Sequence, residues 1–312
     1  MPAAYSQRMK QQSPHLIHSI SEQHRILGLP KPVHPLISVF NFDDIDHIRA
    51  DKRPPTLLLD LYCISLKRNV TGKVRYGQGY CDFDEGILFC TAPGQVTSNI
   101  TDDHKPSGWC VVFHPDFIRG HPFCQRIKQY GFFDYTVNEA LHLSDQEETL
   151  MISVMNMLRH EINSRIDQYS EAVLIAHLYL LLSYTQRFYS RQFITRKPIS
   201  HDVLIRLETI LSDYFASDKT LSEGLPSVSY LAEKMNYSDS YLSDLLKTYT
   251  GQNTQQHIHR YVIERAKELL TQTRLSVSEI GLRLGFTFPQ SFSRLFKNKT
   301  NVTPLQYRQS FN

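Results

Sequence analysis

The chain has 312 residues and a formal net charge of +3, with 41% of residues hydrophobic and 21% charged. That balance excludes wholesale disorder, and 13 Gly and 15 Pro are too few for a collagenous or linker-like chain. The length argues for about two domains, and a pI near 8.5 permits a nucleic-acid partner without demanding one.

Residues 1–32 read as a polar arm. Arg8 and Lys10 are present there, but no apolar core of a secretory signal follows them. From Val33 to about Leu143 the texture is that of β structure. Thr56–Ser65, Ile87–Thr91 and Trp109–Phe113 are short apolar runs, and Pro54-Pro55, Thr71-Gly72, Gly77, Gly79, Pro93-Gly94 and Pro106-Ser107-Gly108 punctuate them. Short strands between turn signals predict a sandwich or small barrel. All five cysteines, Cys63, Cys81, Cys90, Cys110 and Cys124, lie in this region. Their odd count and the absence of C-x-x-C predict free, buried thiols in a reducing cytoplasm.

The texture turns helical at Ser144. Ser144 and Glu147 have the spacing of a capping box, and Met151, Val154, Met155, Leu158 and Ile162 follow at helical period. A second helix, about Ser170 to Phe193, is apolar nearly all round and must be buried on more than one side. Its apolar run, Ala172–Tyr184, is interrupted by His177 and is shorter than the ~18 residues of a membrane span, so no membrane partner is expected. Arg191–Ser200 is polar, contains Pro198 and reads as a linker.

The last part of the chain repeats itself. Ser227-Val228-Ser229 matches Ser276-Val277-Ser278, and Asn236-Tyr237 matches Gly285-Phe286. After one inserted residue, Leu242, Ser243, Leu245 and Lys247 match Phe292, Ser293, Leu295 and Lys297. Each copy, about 227–251 and 276–301, reads as a helix-turn-helix. Val228, Leu231 and Met235, or Val277, Ile280 and Leu284, face inward. Ala232 or Gly281 lets the second helix cross closely. Asn236 or Gly285 takes the left-handed turn, and Ser238 or Asp239, or else Thr287, caps the second helix. Pro289 is tolerated in a first helical turn. Gly251 and Asn301 close the second helices, and Thr303-Pro304 opens one more, ending near Gln309. Between the copies, a helix of about Thr254 to Thr271 buries Ile258, Tyr261, Val262, Ala266, Leu269 and Leu270. It spans about 25 Å, enough to hold two recognition helices apart for consecutive major grooves of one duplex.

These motifs resemble the DNA-binding domain of the AraC/XylS family of transcription regulators. The resemblance rests on Ile280, Gly285-Phe286, Ser291 to Lys297 and Thr303 to Arg308, and it covers about His201–Asn312. Gly281 replaces the family's usual Ala, weakening its helix by about 1 kcal/mol, and Asn301 replaces the usual Gly. The resemblance implies base contacts from Ser240, Ser243, Asp244, Pro289, Gln290, Ser291 and Arg294. Arg294 suits guanine and Gln290 suits adenine. Lys247, Lys297, Lys299 and Arg308 are expected on phosphates. Asp244 would repel phosphate, and from Ser276 onward Arg283, Arg294, Lys297, Lys299 and Arg308 face only Glu279, so the second copy is expected to bind more strongly.

Less specifically, Pro93-Gly94-Gln95 and Gly108–Phe117 make the front half similar to the family's cupin-like sensory domain. The implied fold is α+β with two domains: an arm (1–32), a cupin-like barrel or sandwich (33–143), a helical dimerisation segment (144–195) and an all-α DNA-binding domain (200–312). The implied function is a cytoplasmic, homodimeric, sequence-specific activator, working with promoter DNA, RNA polymerase and a small effector. No enzyme activity, cofactor or metal is expected. A metal-dependent cupin enzyme needs convergent ligands, whereas His104, His114, His121 and His142 are dispersed, and His257 and His259 point to different helix faces. A cysteine-based redox or alkylation sensor needs an exposed, electropositive thiol. Cys63, Cys90 and Cys110 lie in apolar runs, while Cys81 and Cys124 are less constrained.

Overall fold

The computed structural model describes residues 14–311 except 46–53, 55, 69, 77–78, 84–85, 99–106, 137–138 and 196. The chain is mixed α+β and forms two compact units, Met1–Gln192 and Phe193–Asn312. Residues 1–13, His104, and the turn signals at Gly77 and Pro106 lie outside the described residues, and so does the side chain of Cys81.

The first unit carries the strands. A five-stranded sheet runs β10 (Leu141–His142), β7 (Ile87–Thr91), β4 (Tyr62–Arg68), β9 (Ser107–Phe113), β2 (Ile37–Asn41), all antiparallel. A three-stranded sheet runs β1 (His15–Ile17), β3 (Thr56–Leu59), β8 (Gln95–Ser98), and β5 (Val70–Tyr76) pairs with β6 (Gly79–Phe83). The run Thr56–Ser65, expected as one strand, is broken at Asp60. Its amide donates to the Ile17 carbonyl at 2.9 Å, and its carboxylate meets His18 Nδ1 at 2.6 Å. The turn sends β3 and β4 into different sheets.

Much of the expected arm is built into this fold. β1 pairs parallel with β3, and α1 (Ile20–Leu27) starts on a Ser19 cap and ends at Gly28 in the left-handed region. Ile17 and Ile20 are fully buried in one core with Phe40, Leu57, Leu61, Cys63 and Val112. Only three residues of this stretch needed to alternate correctly for β1 to form, too few to stand out in a polar sequence.

After a short α2 (Phe123–Ile127), α3 (Asp145–Ile162) and α4 (Ser170–Thr195) complete the unit. The Ser144–Glu147 capping box is present, and Met151, Val154, Met155, Leu158 and Ile162 are the buried stripe of α3. α3 packs on β2 and β9. Its Glu148 is buried, binds Arg68 at the end of β4, and fills the space where a Cβ on Gly86 would sit. In α4, Leu174, Leu178, Leu181 and Leu182 are buried within the unit, which accounts for most of its apolar surface.

The linker expected at Arg191–Ser200 is instead helical. α4 runs to Thr195 and α5 (Lys197–Ala216) follows. Arg191 donates to the Glu147 carboxylate at 2.6 and 3.0 Å and to the His142 carbonyl at 2.8 Å. Gln192, also buried, accepts from the His142 N–H and donates to the Ala140 carbonyl. The polar side chains that suggested a solvated linker are partners of β10 and α3.

The second unit is all helical: α5, α6 (Lys219–Ser222), α7 (Val228–Met235), α8 (Asp239–Thr250), α9 (Thr254–Gln272), α10 (Val277–Arg283), α11 (Pro289–Thr300) and α12 (Pro304–Gln309). Its core is Leu231, Leu242, Leu246, Ile258, Val262, Ala266, Ile280, Phe292 and Phe296, each fully buried. Among the described residues no helix is long and apolar enough to cross a membrane.

Candidate nucleic-acid interface

In the first repeat, Ser227 caps α7 by accepting from the Tyr230 N–H, and the helix ends at Asn236 with φ 59°. Ser238 caps α8 in the same way, and Gly251 closes it at φ 73°. In the second repeat, Ser276 and Glu279 form a capping box on α10. The Ser276 donors hold the Glu279 carboxyl below its usual range. Gly285 makes the turn at φ 93°, and Asn301 closes α11 at φ 63°. Within the two repeats, the left-handed positions are the four that the sequence predicts.

Each first helix carries a small residue at the crossing. A Cβ on Gly281 would approach Phe292 Cβ to 3.2 Å. In the first copy Ala232 fills that position, and Leu242, smaller than Phe, stands where Phe292 does. The departure from Ala at Gly281 therefore matches the larger partner. Gly285 is constrained further, because a Cβ there would meet the backbone of Gly224 at 2.7 Å. The chain just before the first repeat thus crosses directly over the turn of the second. Tyr214 supports this crossing by donating to the Gly224 carbonyl at 3.0 Å.

The long helix α9 begins on a capping box of Asn253 and Gln256 that was present in the sequence but not singled out. Its His257 is buried, with Nε2 2.8 Å from Thr250 Oγ1 at the end of α8. Burial and the nearby Arg260 push this imidazole's pKa down.

The structure separates the expected contact residues into two groups. On α11, Gln290, Ser291, Arg294, Lys297 and Lys299 are all exposed, and Pro289 is half-buried in the first turn. Among the described residues the three cations have no carboxylate partner. The opposite face of this helix is an aromatic row, with ring centroids 5.5 Å apart for Phe286 and Phe292 and 5.9 Å for Phe292 and Phe296. Of the expected contacts on α8, only Lys247 is exposed. Ser240, Ser243 and Asp244 are half-buried, and Ser243 Oγ lies 3.1 Å from Thr254 Oγ1 at the start of α9.

Arg308 also differs from a free surface cation. It is half-buried and donates to the Leu270 carbonyl at 3.0 Å and the Leu275 carbonyl at 2.7 Å. It thereby satisfies an orphan carbonyl in the last turn of α9 and one in the segment leading to α10. Nothing in the local sequence signals this clasp, because its partners lie more than thirty residues away. The cap expected at Thr287 is displaced as well: the inserted residue shifts the start of α11, so Phe288 occupies the N-cap and makes no side-chain hydrogen bond.

The first unit contains a polar cluster on one face of its central sheet. Ser65 pairs with Cys110 and Cys63 with Val112 across β4 and β9, and Lys67 follows on the same face. Lys67 Nζ lies 5.0 Å from the Phe89 ring centroid and 5.4 Å from that of Phe42, with no carboxylate partner among the described residues. Loss of water pushes this amine down to about 8. The Cys63 thiol, the Ser65 hydroxyl and Lys67 hold Cys110 below the usual thiol range, against the opposing effect of burial. Burial pushes the Cys90 thiol far up. The Gln23 and Thr91 side chains lie against the Cys63 thiol, which is their hydrogen-bond partner. Among the described residues no group of three or more His, Cys, Asp or Glu is placed to hold a metal ion.

Comparison with known proteins points the same way. Residues 231–310 match a family model described as a helix-turn-helix domain. The chain is 22% identical over 277 residues to the Msm operon regulatory protein of Streptococcus mutans, covering 86% of this chain and 94% of that one. It is 32% identical over 118 residues to the regulatory protein PocR of Salmonella typhimurium, a match that covers 38% of this chain and only 37% of PocR. Among solved structures, an AraC-type DNA-binding-domain regulator from Chromobacterium violaceum is 31% identical, covers 28% of this chain and 77% of that one, and has a TM-score of 0.27. With its capped, doubled helix-turn-helix and the family match over the same residues, the chain carries an AraC-type helix-turn-helix domain, the DNA-binding module of transcription regulators, at its C-terminal end.

Proposed function

We propose that α8 and α11 enter consecutive major grooves on one face of promoter DNA, and that α11 supplies most of the grip. The observation that carries this reading is the exposed row Gln290, Ser291, Arg294, Lys297 and Lys299, free of internal carboxylates. Arg294 reads guanine through its planar fork and Gln290 reads adenine, with Pro289 and Ser291 lining the same helix start. Ser240, Ser243 and Asp244 form the weaker reading edge of α8. Lys247, Lys297 and Lys299 neutralise phosphates. Arg308 orders the α9 end and offers phosphate whatever its two carbonyl bonds leave over.

In this reading residues 200–312 are the DNA-binding domain, and the chain works as a homodimeric, cytoplasmic activator that engages RNA polymerase. Residues 33–143 form the cupin-like effector domain and 144–195 the dimer helices. The support for effector control is Lys67, which has no carboxylate partner among the described residues and lies on the same sheet face as Cys63 and Ser65. A bound small molecule with an anionic group would pair with this amine.

Binding-site selection on randomised duplex DNA tests the DNA reading. The wild type is expected to enrich a motif of two blocks about one helical turn apart. Arg294→Ala is expected to relax one guanine, at a cost of about 1–3 kcal/mol. Salt-sensitive binding with no motif would refute sequence-specific reading.

A further inference from the structure

The two repeats differ at one position where the second gives up a stabilising interaction. α7, α8, α9, α10 and α12 each begin on a polar side chain that accepts a backbone N–H three residues on: Ser227, Ser238, Asn253, Ser276 and Thr303. α11 does not. Its N-cap is Phe288, in register with Ser238 of the first copy, and it makes no cap hydrogen bond. Replacing a hydroxyl cap by an apolar residue destabilises a helix start.

The ring does not recover that loss by burial, because Phe288 is 63% exposed. On the helix it opens, Gln290, Ser291 and Arg294 are exposed as well, and α11 carries no acidic residue. A cationic helix without carboxylates suits a polyanion better than a protein surface of mixed charge. The N-terminal end of a recognition helix is the part that reaches base edges. In the major groove the one apolar group at those edges is the thymine 5-methyl, and an aromatic ring is among the side chains that pack against it.

We propose that Phe288 is a specificity-determining residue of the DNA interface, its ring packing on a thymine methyl beside the bases read by Gln290 and Arg294. This rests on the DNA-reading function given above for α11.

The test uses the full chain as wild type, Phe288→Ser and Phe288→Ala. Site selection on randomised duplex DNA identifies the bound motif, and binding is then measured on a selected site with its thymines replaced singly by deoxyuridine, which lacks only the methyl. For the wild type, one replacement is expected to weaken binding about fourfold. Phe288→Ser and Phe288→Ala should be indifferent to that replacement and should select any base there. Thermal unfolding separates this from damage to the fold: Phe288→Ser restores a hydroxyl cap and should unfold at a temperature no lower than the wild type. The proposal is overturned if both variants select the wild-type motif and no deoxyuridine matters. It is equally overturned if DNA binding is unchanged but promoter activation is lost, since the ring would then face a protein partner. A wild type that enriches no motif would instead sink the underlying DNA reading.

Discussion

At the same step of the second helix, the first repeat carries Asp244 and the second carries Arg294. Around Asp244, Ser240 and Ser243 are half-buried and Ser243 faces Thr254, so α8 is braced against α9. Around Arg294, Gln290, Ser291 and Lys297 all face outward, and the bracing comes from an aromatic row on the other side. The shared backbone plan thus supports two uses of a recognition helix. One copy turns polar groups inward to fix the linker helix, and the other leaves them outward for a ligand. Sequence similarity between the copies resides in caps, turns and core, the parts that do not distinguish these uses.

The largest expected effect breaks the symmetry of the turns. Gly285→Ala forces a Cβ against the Gly224 backbone and into a left-handed conformation, and should cost about 3 kcal/mol. Asn236→Gly in the first copy should change stability by less than about 1 kcal/mol. Urea unfolding of the full chain, followed by a probe in the helical unit, compares them. Next come the facing charges: Arg294→Ala should lose about 1–3 kcal/mol of specific binding, while Asp244→Ala should hold or improve affinity at the same salt. Equal losses from both would erase the proposed division between the copies.

A smaller effect tests the crossings. Gly281→Ala gains about 1 kcal/mol of helix propensity but crowds Phe292. Adding Phe292→Leu recreates the Ala232–Leu242 pairing of the first copy. The crowding should appear as a non-zero coupling in the double-mutant cycle, and strict additivity would show that the crossing has slack. The smallest effect concerns the capping box, which only the second copy has, because Tyr230 stands where Glu279 does. The folded-state pKa of Glu279 is lowered, so its contribution is present above about pH 4.5 and is lost as pH falls through the folded value. Glu279→Gln should therefore flatten the acid side of the stability profile slightly, matching the wild type at low pH and falling slightly below it near pH 7.

Much of the helical structure was legible because its signals are local. Ser144–Glu147, Asn236, Gly251, Gly285, Asn301 and Thr303-Pro304 each act within a few residues of themselves. What escaped depended on distant partners. Asp60 breaks a strand run by meeting His18 and Ile17. Arg191 and Gln192 look like linker residues until β10 and Glu147 are placed beside them. Arg308 reads as a surface cation because Leu270 and Leu275 are far along the chain. Phe288 was hidden by alignment: the inserted residue makes Thr287 the apparent cap, and only the start of α11 shows which residue holds that place.

The backbone crossing of Gly224 and Gly285 has a consequence for the order of folding. It closes a loop of about sixty residues, whose ends meet only after that entropy has been surrendered. The first repeat needs no such closure, since its turn and caps are satisfied by near neighbours. The second repeat's turn should thus be among the last features of the helical unit to become rigid. In a mutational analysis of folding rates, changes at Ala232 and Leu242 would slow folding, whereas changes around Gly285 would mainly speed unfolding.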